Sequence, residues 1–120
     1  MRILWFNVLK AYGLSEPDLF IAAYFAPDTQ DENTHTNMVR AATQAMSAII
    51  GGAKELYILP ANVGAGENPT AFTRRIARNV QHILRLESYL DKVQDPAAGS
   101  FYIEKLTEEL AKKAWAIFQQ

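Results

Sequence analysis

The chain has 120 residues, 49% hydrophobic and 21% charged, which is typical of a globular domain with an apolar core. Twelve Lys and Arg against thirteen Asp and Glu leave a net charge of -1, which argues against nucleic acid or an anionic membrane surface as a partner. The absence of cysteine excludes disulfides, thiolate metal sites and a cysteine nucleophile. Because no apolar run reaches the roughly 18–20 residues of a membrane span and no signal peptide is recognisable, we expect a cytoplasmic location.

The N-terminal quarter contains two apolar segments. Residues 3–12 would place apolar side chains on nearly every side of a helix, and such a helix requires cover all round. Residues 15–18, Ser-Glu-Pro-Asp, predict a turn. The run 19–26 is apolar without alternation, which is typical of a parallel strand buried on both faces, and the polar residues 27–36 predict a long loop.

Helical and strand patterns then alternate along the rest of the chain. A helix is predicted over 37–50, followed by a short strand over 55–59 that Pro60 stops. A second helix is predicted from Pro69 to about Leu90, with Asn68 as its N-cap. Its predicted apolar stripe consists of Phe72, Ile76, Val80, Ile83, Leu86 and Leu90.

The C-terminal part predicts at most one very short strand near Val93 and a final helix from about Phe101. The alternating order favours an α/β fold with parallel strands. Two or three strands cannot close a barrel, so the whole chain, residues 1–120, is interpreted as one piece of a larger α/β protein.

Motifs for a metal or a phosphate are weak. The only histidines, His35 and His82, lie far apart and without metal-binding spacing, so no metal site is predicted. Gly64-Ala65-Gly66 follows a predicted strand, but Pro69 stands where a dinucleotide-binding fingerprint requires a third glycine. A plain loop is therefore the preferred interpretation.

Five polar residues of the second helix are candidates for contacts. Arg74, Arg78 and Arg85 lie opposite the apolar stripe, where a solvated face or a protein or anion interface is expected. Asn79 and Glu87 project onto or near the apolar side, so we expect them to be buried and bonded to the loop around 95–100. A carboxylate acting in catalysis is the alternative for Glu87, but no acid–base partner is identifiable.

Several motifs in the same order resemble the methylmalonyl-CoA mutase family. The resemblance covers nearly the whole chain. The segments that carry it are N-M-V-R at 37–40, A-M-S-A-I-I-G-G-A at 45–53, R-I-A-R-N-V-Q at 75–81, E-S at 87–88, D-P-A-A-G-S-F-Y at 95–102 and L-T-E-E-L-A at 106–111.

The resemblance implies a (β/α)8 TIM barrel, of which this chain would supply the last βα units. In that family the barrel holds an acyl-CoA along its axis, and a separate domain carries adenosylcobalamin for the interconversion of methylmalonyl-CoA and succinyl-CoA. No D-x-H-x-x-G, the cobalamin-binding motif, occurs here, so we expect no cobalamin domain, no cofactor-binding residue and no catalytic residue in this chain.

Departures from the family pattern concern its polar site residues. Catalytic chains read R-A-H-x-Q and H-T-N-S-x-D-E-A-L, and their His, Gln, Asn and Glu fall on Ala23, Phe25, Pro60 and Gly64 here. The resemblance therefore implies the non-catalytic small subunit, partnered by the catalytic large subunit. An active acyl-CoA mutase of altered specificity and an independent protein-binding module remain alternatives. Self-association of the isolated chain is expected because its strands would keep open edges.

Overall fold

The computed structural model describes residues 2–14 and 19–120, so the turn predicted at 15–18 lies outside the described residues. Two compact units are present. One combines the two ends of the chain, up to Leu19 and from Ala97, and the other consists of Phe20–Pro96.

The unit formed by the N-terminal and C-terminal segments contains two helices. Helix α1 spans Arg2–Ala11, within one residue of the prediction, and buries Leu9, while Ile3 and Trp5 are exposed. Helix α4 spans Phe101–Phe118 and has no buried residue. Most of its apolar side chains are exposed, while Ala111 and Trp115 are partly buried.

The central unit contains a small parallel sheet. Strand β1, Ala22–Tyr24, pairs with strand β2, Glu55–Tyr57, in the register Ala22–Glu55, Ala23–Leu56 and Tyr24–Tyr57. Backbone hydrogen bonds from Lys54 N to Ile21 O (2.8 Å) and from Phe25 N to Tyr57 O (3.1 Å) extend this ladder at both ends.

Both strands are shorter than predicted, and the strand predicted near Val93 is not formed. Residues 93–100 make turns instead, one of them closed by Ser100 N donating to Ala97 O at 3.1 Å. Within the described residues the sheet has two strands. The structure agrees with an α/β class, since helices follow both parallel strands.

Helix α2 spans Thr34–Ile50 and follows a single 3₁₀ turn at Pro27–Thr29. It begins three residues earlier than predicted because Asn33 caps it, with the Asn33 side chain accepting from Thr36 N at 3.1 Å. The polar composition of this stretch had indicated a loop, whereas its asparagine supplies a helix start.

Helix α3 spans Ala71–Leu86, so the predicted N-cap, Asn68, is wrong. Thr70 is the N-cap, and its side chain and that of Thr73 each bond the other's backbone N–H. Thr73 is also one of the buried residues of α3.

The core lies between the sheet and the helices α2 and α3. Ala45, Val80 and Leu84 form its buried centre, and the partly buried side chains packed against it are Phe25, Ala42, Ile49, Leu56, Ile58 and Leu90. Small residues dominate the contact between the helices, since Ala41, Ala45 and Ala77 are all buried. The predicted stripe of α3 is therefore correct at Val80 but wrong at Phe72, Ile83 and Leu86, which are exposed.

Candidate functional site

The carboxyl ends of β1 and β2 meet at one edge of the sheet, because the strands are parallel. In open parallel sheets ligands bind at this edge. The segments that form it are residues 25–33 after β1 and residues 58–70 after β2. We therefore treat their side chains as the candidate site.

Gln30 connects the two segments. Its Nε2 donates to Pro60 O at 3.3 Å, and its Oε1 accepts from Gly64 N at 2.9 Å. These residues are partly buried, so both bonds lie out of bulk water.

Asn37 forms a second connection and is almost completely buried, with 1% of its surface exposed. Its Nδ2 donates to Asp31 O at 2.7 Å and to Ala61 O at 2.8 Å, while its Oδ1 accepts from Asp31 N and Arg40 Nη1 at 3.0 Å each. The first turn of α2 is thereby tied to both loops.

Asp31 also pairs with Arg40, at 2.7 Å between carboxylate and guanidinium. The hydrogen bond from Arg40 and one from Asn33 N lower the pKa of Asp31 below its ordinary value. This carboxylate is consequently ionised and paired near neutral pH, an arrangement suited to holding the loop rather than transferring protons.

Asn62 is the third buried amide at this edge, 2% exposed. Its Nδ2 donates to Asn68 O at 2.8 Å and to Glu67 Oε2 at 3.3 Å, while its Oδ1 has no hydrogen-bond partner among the described residues. The two bonds fix the amide orientation and shape the loop that precedes α3. None of the three amides can act as a general acid or base.

The face of the sheet that points away from the core carries a pair of stacked tyrosines. The rings of Tyr24 and Tyr57 lie 4.2 Å apart between centroids and within 3° of parallel, on paired positions of β1 and β2. Tyr57 Oη donates to Glu55 Oε2 at 3.0 Å. Mainly through this bond, and then through neighbouring Tyr24, the pKa of Tyr57 is raised to about 12.

The arginines singled out in the sequence do not converge on this edge. Arg74, Arg78 and Arg85 are exposed, and Arg85 Nε pairs with Asp91 Oδ2 at 3.3 Å. Arg74 and Arg78 have no carboxylate partner within the part of the chain that the structure describes. An interface role for these side chains stays a prediction.

The expected burial of Asn79 and Glu87 is not found, because both residues are exposed. Asn79 lies in helix α3 on the same side as Phe72 and Ile83, which are themselves exposed, and Glu87 is the C-cap. No side-chain hydrogen bond of either residue is present among the described residues. The apolar side on which they were placed is left uncovered, which is the physical reason for the error.

The described residues contain no group of three or more metal-ligating side chains. His35 lies in the first turn of α2 and His82 lies on α3, and both are exposed. None of the helices in the described ranges combines the length and apolar character of a membrane span.

Comparison with known proteins adds the decisive observation. A family model described as methylmalonyl-CoA mutase matches residues 1–120. The chain belongs to the methylmalonyl-CoA mutase family. Methylmalonyl-CoA mutase of Cereibacter sphaeroides is 36% identical over 123 residues, covering 99% of this chain and 17% of the relative.

Relatives named as small subunits of methylmalonyl-CoA mutase are similar to the same degree. That of Porphyromonas gingivalis is 36% identical over 122 residues, covering 98% of this chain and 20% of the relative. That of Streptomyces virginiae is 48% identical over 84 residues, covering 70% of this chain and 14% of the relative. The chain thus spans about a fifth or less of the length of these mutase relatives.

The resemblance places polar site residues of catalytic mutases at four positions, Ala23, Phe25, Pro60 and Gly64, and the structure describes their surroundings. Phe25 packs against the core on the helix-covered side of the sheet, and Ala23, two residues earlier in the strand, lies on the same side. The carbonyl of Pro60 accepts a hydrogen bond from Gln30 Nε2, and the N–H of Gly64 donates one to Gln30 Oε1. None of the four supplies an acid, a base or a side-chain hydrogen bond.

A cobalamin cofactor, which the mutase family implies, finds no fitting ligand among these residues. The exposed His35 and His82 lie on separate helices, and the described residues provide no hydrogen bond that orients either ring. We therefore assign no lower ligand for cobalamin to His35 or His82.

The residues that shape this edge were missed from the sequence. Gln30 lies in a polar stretch that read as an ordinary loop, and Asn37 read as the start of a helix. The one available signal was the resemblance at N-M-V-R, which includes Asn37 without indicating its partners, Asp31 O and Ala61 O.

Proposed function

We propose that this chain is part of the non-catalytic small subunit of a methylmalonyl-CoA mutase, where it supports the catalytic large subunit. In this proposal residues 1–120 supply the last βα units of a (β/α)8 barrel. The parallel β1–α2–β2–α3 order supports such an arrangement. The names of the small-subunit relatives support the assignment of the role.

The observation that carries the proposal is the packing at Gly64. The resemblance places a site glutamate of catalytic mutases at this position. A Cβ built on Gly64 would lie 2.5 Å from Gln30 Cβ and 2.7 Å from Asp31 O. Because real side chains do not approach so closely, the loop as folded has no room for a glutamate.

Adenosylcobalamin and the acyl-CoA substrate belong, in this proposal, to the assembled enzyme and to residues outside this chain. The cofactor supplies radical chemistry for a 1,2-rearrangement in the family that the chain resembles. This chain contributes scaffolding only. Its exposed arginines Arg74 and Arg78, on a helix without acidic residues, are the surface we propose for a subunit contact.

The test is an assay of the purified chain with methylmalonyl-CoA and adenosylcobalamin, with the Cereibacter sphaeroides mutase as the positive control. We expect no succinyl-CoA from the chain. The tagged full-length protein containing it should co-purify with a catalytic mutase subunit from its own cells. Turnover by the chain alone would favour the active-mutase alternative, and purification without any mutase partner would exclude the small-subunit role.

A further inference from the structure

Two loops follow the strands of the sheet, and one side chain joins them. Gln30 comes from the segment after β1 and bonds two backbone groups of the segment after β2, the carbonyl of Pro60 and the N–H of Gly64. A primary amide has an NH2 group that donates and a carbonyl oxygen that accepts, and each makes one of these two bonds. The bonds cross 30 and 34 residues of sequence, so they connect loops that are not neighbours along the chain.

Gly64 fits this contact by its lack of a side chain. The nearest atoms to a Cβ at position 64 would be Gln30 Cβ at 2.5 Å, Asp31 O at 2.7 Å and the Gln30 carbonyl carbon at 3.0 Å. Two of these three atoms are backbone, so a rotamer change of Gln30 would not relieve the clash. The φ angle of Gly64 is not in the left-handed region, which leaves space as the reason for glycine.

We propose that Gln30 and Gly64 form a lock that closes the edge of the sheet between the carboxyl ends of β1 and β2. Ligands of parallel sheets use backbone N–H and C=O groups at this edge. Here the chain's own carboxamide occupies such a pair. Gln30 is thus a positioning residue that holds the β2–α3 loop in a closed form, and the inference deepens, and rests on, the proposed non-catalytic role.

Hydrogen–deuterium exchange at the Gly64 amide tests the lock in the full-length protein. Gln30→Ala removes the acceptor that this N–H has among the described residues, and its exchange should accelerate about three- to tenfold. Gln30→Glu provides a carboxylate oxygen that can accept from Gly64 N but loses the donor to Pro60 O, so the Gly64 amide should exchange more slowly than in Gln30→Ala. The Asp31 amide, which is bonded to Asn37 Oδ1 at 3.0 Å, is an internal reference that should not change in either variant.

A pair of glycine substitutions provides the second measurement. Gly64→Ala should accelerate exchange in both loops and lower the denaturation midpoint, since the two segments must separate. Gly51→Ala is the matched control, because the nearest atoms to its Cβ would be at 3.4 Å and 3.5 Å, which is ordinary contact. Gly51→Ala should leave both readouts unchanged.

The lock is overturned if Gly64 exchanges equally fast in the wild type and in Gln30→Ala, or if Gly64→Ala behaves like Gly51→Ala. Acceleration of Gly64 and Asp31 together in Gln30→Ala would also contradict it, because general loosening would then be the cause. These readouts do not depend on enzymatic activity. A chain that turns over substrate yet keeps a protected Gly64 would refute the proposed function and leave the lock intact.

Discussion

Buried amides, rather than ionisable groups, organise the carboxyl edge of the sheet. Asn37 and Asn62 are the largest side chains with almost no exposed surface, and both bond backbone carbonyls of the β2–α3 loop or its flank. An amide group can donate to a buried carbonyl without the cost of burying a charge. This chemistry holds loops in place and suits a structural role.

Asn37→Ala should lower the free energy of unfolding by about 1–3 kcal/mol, because Ala61 O loses a buried hydrogen bond. Urea denaturation of the variant and the wild type measures the change. Asn79→Ala is the matched control, since Asn79 is exposed within a helix and alanine has the higher helix propensity. It should be neutral or slightly stabilising.

Equal destabilisation by the two substitutions would contradict the assignment of Asn37 as the buried connection. It would also support the buried position that the sequence predicted for Asn79. The comparison therefore tests the correction as well as the prediction.

Helix α3 shows how an element is positioned by small residues. Thr73, Ala77, Val80 and Leu84 form its buried side, and Ala41 and Ala45 of α2 are buried as well. Alanines permit close approach of helices, whereas the larger Phe72 and Ile83 lie on the outer side. Hydrophobicity alone favours the large residues, so the pattern indicated the wrong side of α3.

On strand β2, the hydroxyl of Tyr57 has a raised pKa. The hydrogen bond to Glu55 is the largest of the causes that raise the pKa of Tyr57 to about 12, followed by neighbouring Tyr24, so the folded chain holds this proton more tightly than the unfolded chain. The stabilising contribution is therefore present below the ordinary tyrosine pKa of about 10 and is lost as the pH rises from there to about 12.

Tyrosinate absorbance of the wild type minus that of Tyr57→Phe should show one hydroxyl ionising at a pH of about 12. Glu55→Gln should move this ionisation to lower pH, because the carboxylate that holds the proton is gone. Glu32→Gln, at an exposed carboxylate outside the sheet, should have no effect. Ionisation of Tyr57 at its ordinary pKa in the wild type would disprove the contact with Glu55.

One face of the two-stranded sheet is exposed to solvent. Phe20, Tyr24 and Tyr57 are exposed by 58%, 70% and 48%, respectively. Within the described residues each strand has one hydrogen-bonded neighbour, so each also has a free edge. Open apolar faces and free edges favour pairing with another chain.

We accordingly expect the isolated 120-residue chain to self-associate, and sedimentation velocity measures its mass. Tyr24→Lys should shift the distribution towards the 13.4 kDa monomer, because a charge on the open face opposes pairing. Tyr102→Lys on α4 is the control and should not do so. A wild-type monomer, or a monomer produced by Tyr102→Lys alone, would show that the sheet face is not the contact.

The sequence by itself determined the family, the order of the helices and the parallel α/β class. Motif order identifies the family, and the periodicity of apolar residues located α2, α3 and α4, whereas α1 was predicted from a continuous apolar segment. Pro60 bounded the second strand from the sequence, although the structure ends both strands two residues before their predicted ends. These are local properties, and neighbouring residues suffice to encode them.

Only the tertiary structure decided which side of α3 is buried, whether a third strand forms near Val93 and what Gln30, Asn37 and Gly64 do. Each depends on residues 24 to 34 positions away in sequence or on a face that needs a partner to cover it. A hydrogen bond between loops produces no periodic pattern in the sequence. A glycine that is required because space is limited cannot be told, from the sequence, from a glycine that is required by a turn. The carboxyl edge of the sheet is therefore the part that the sequence alone does not specify.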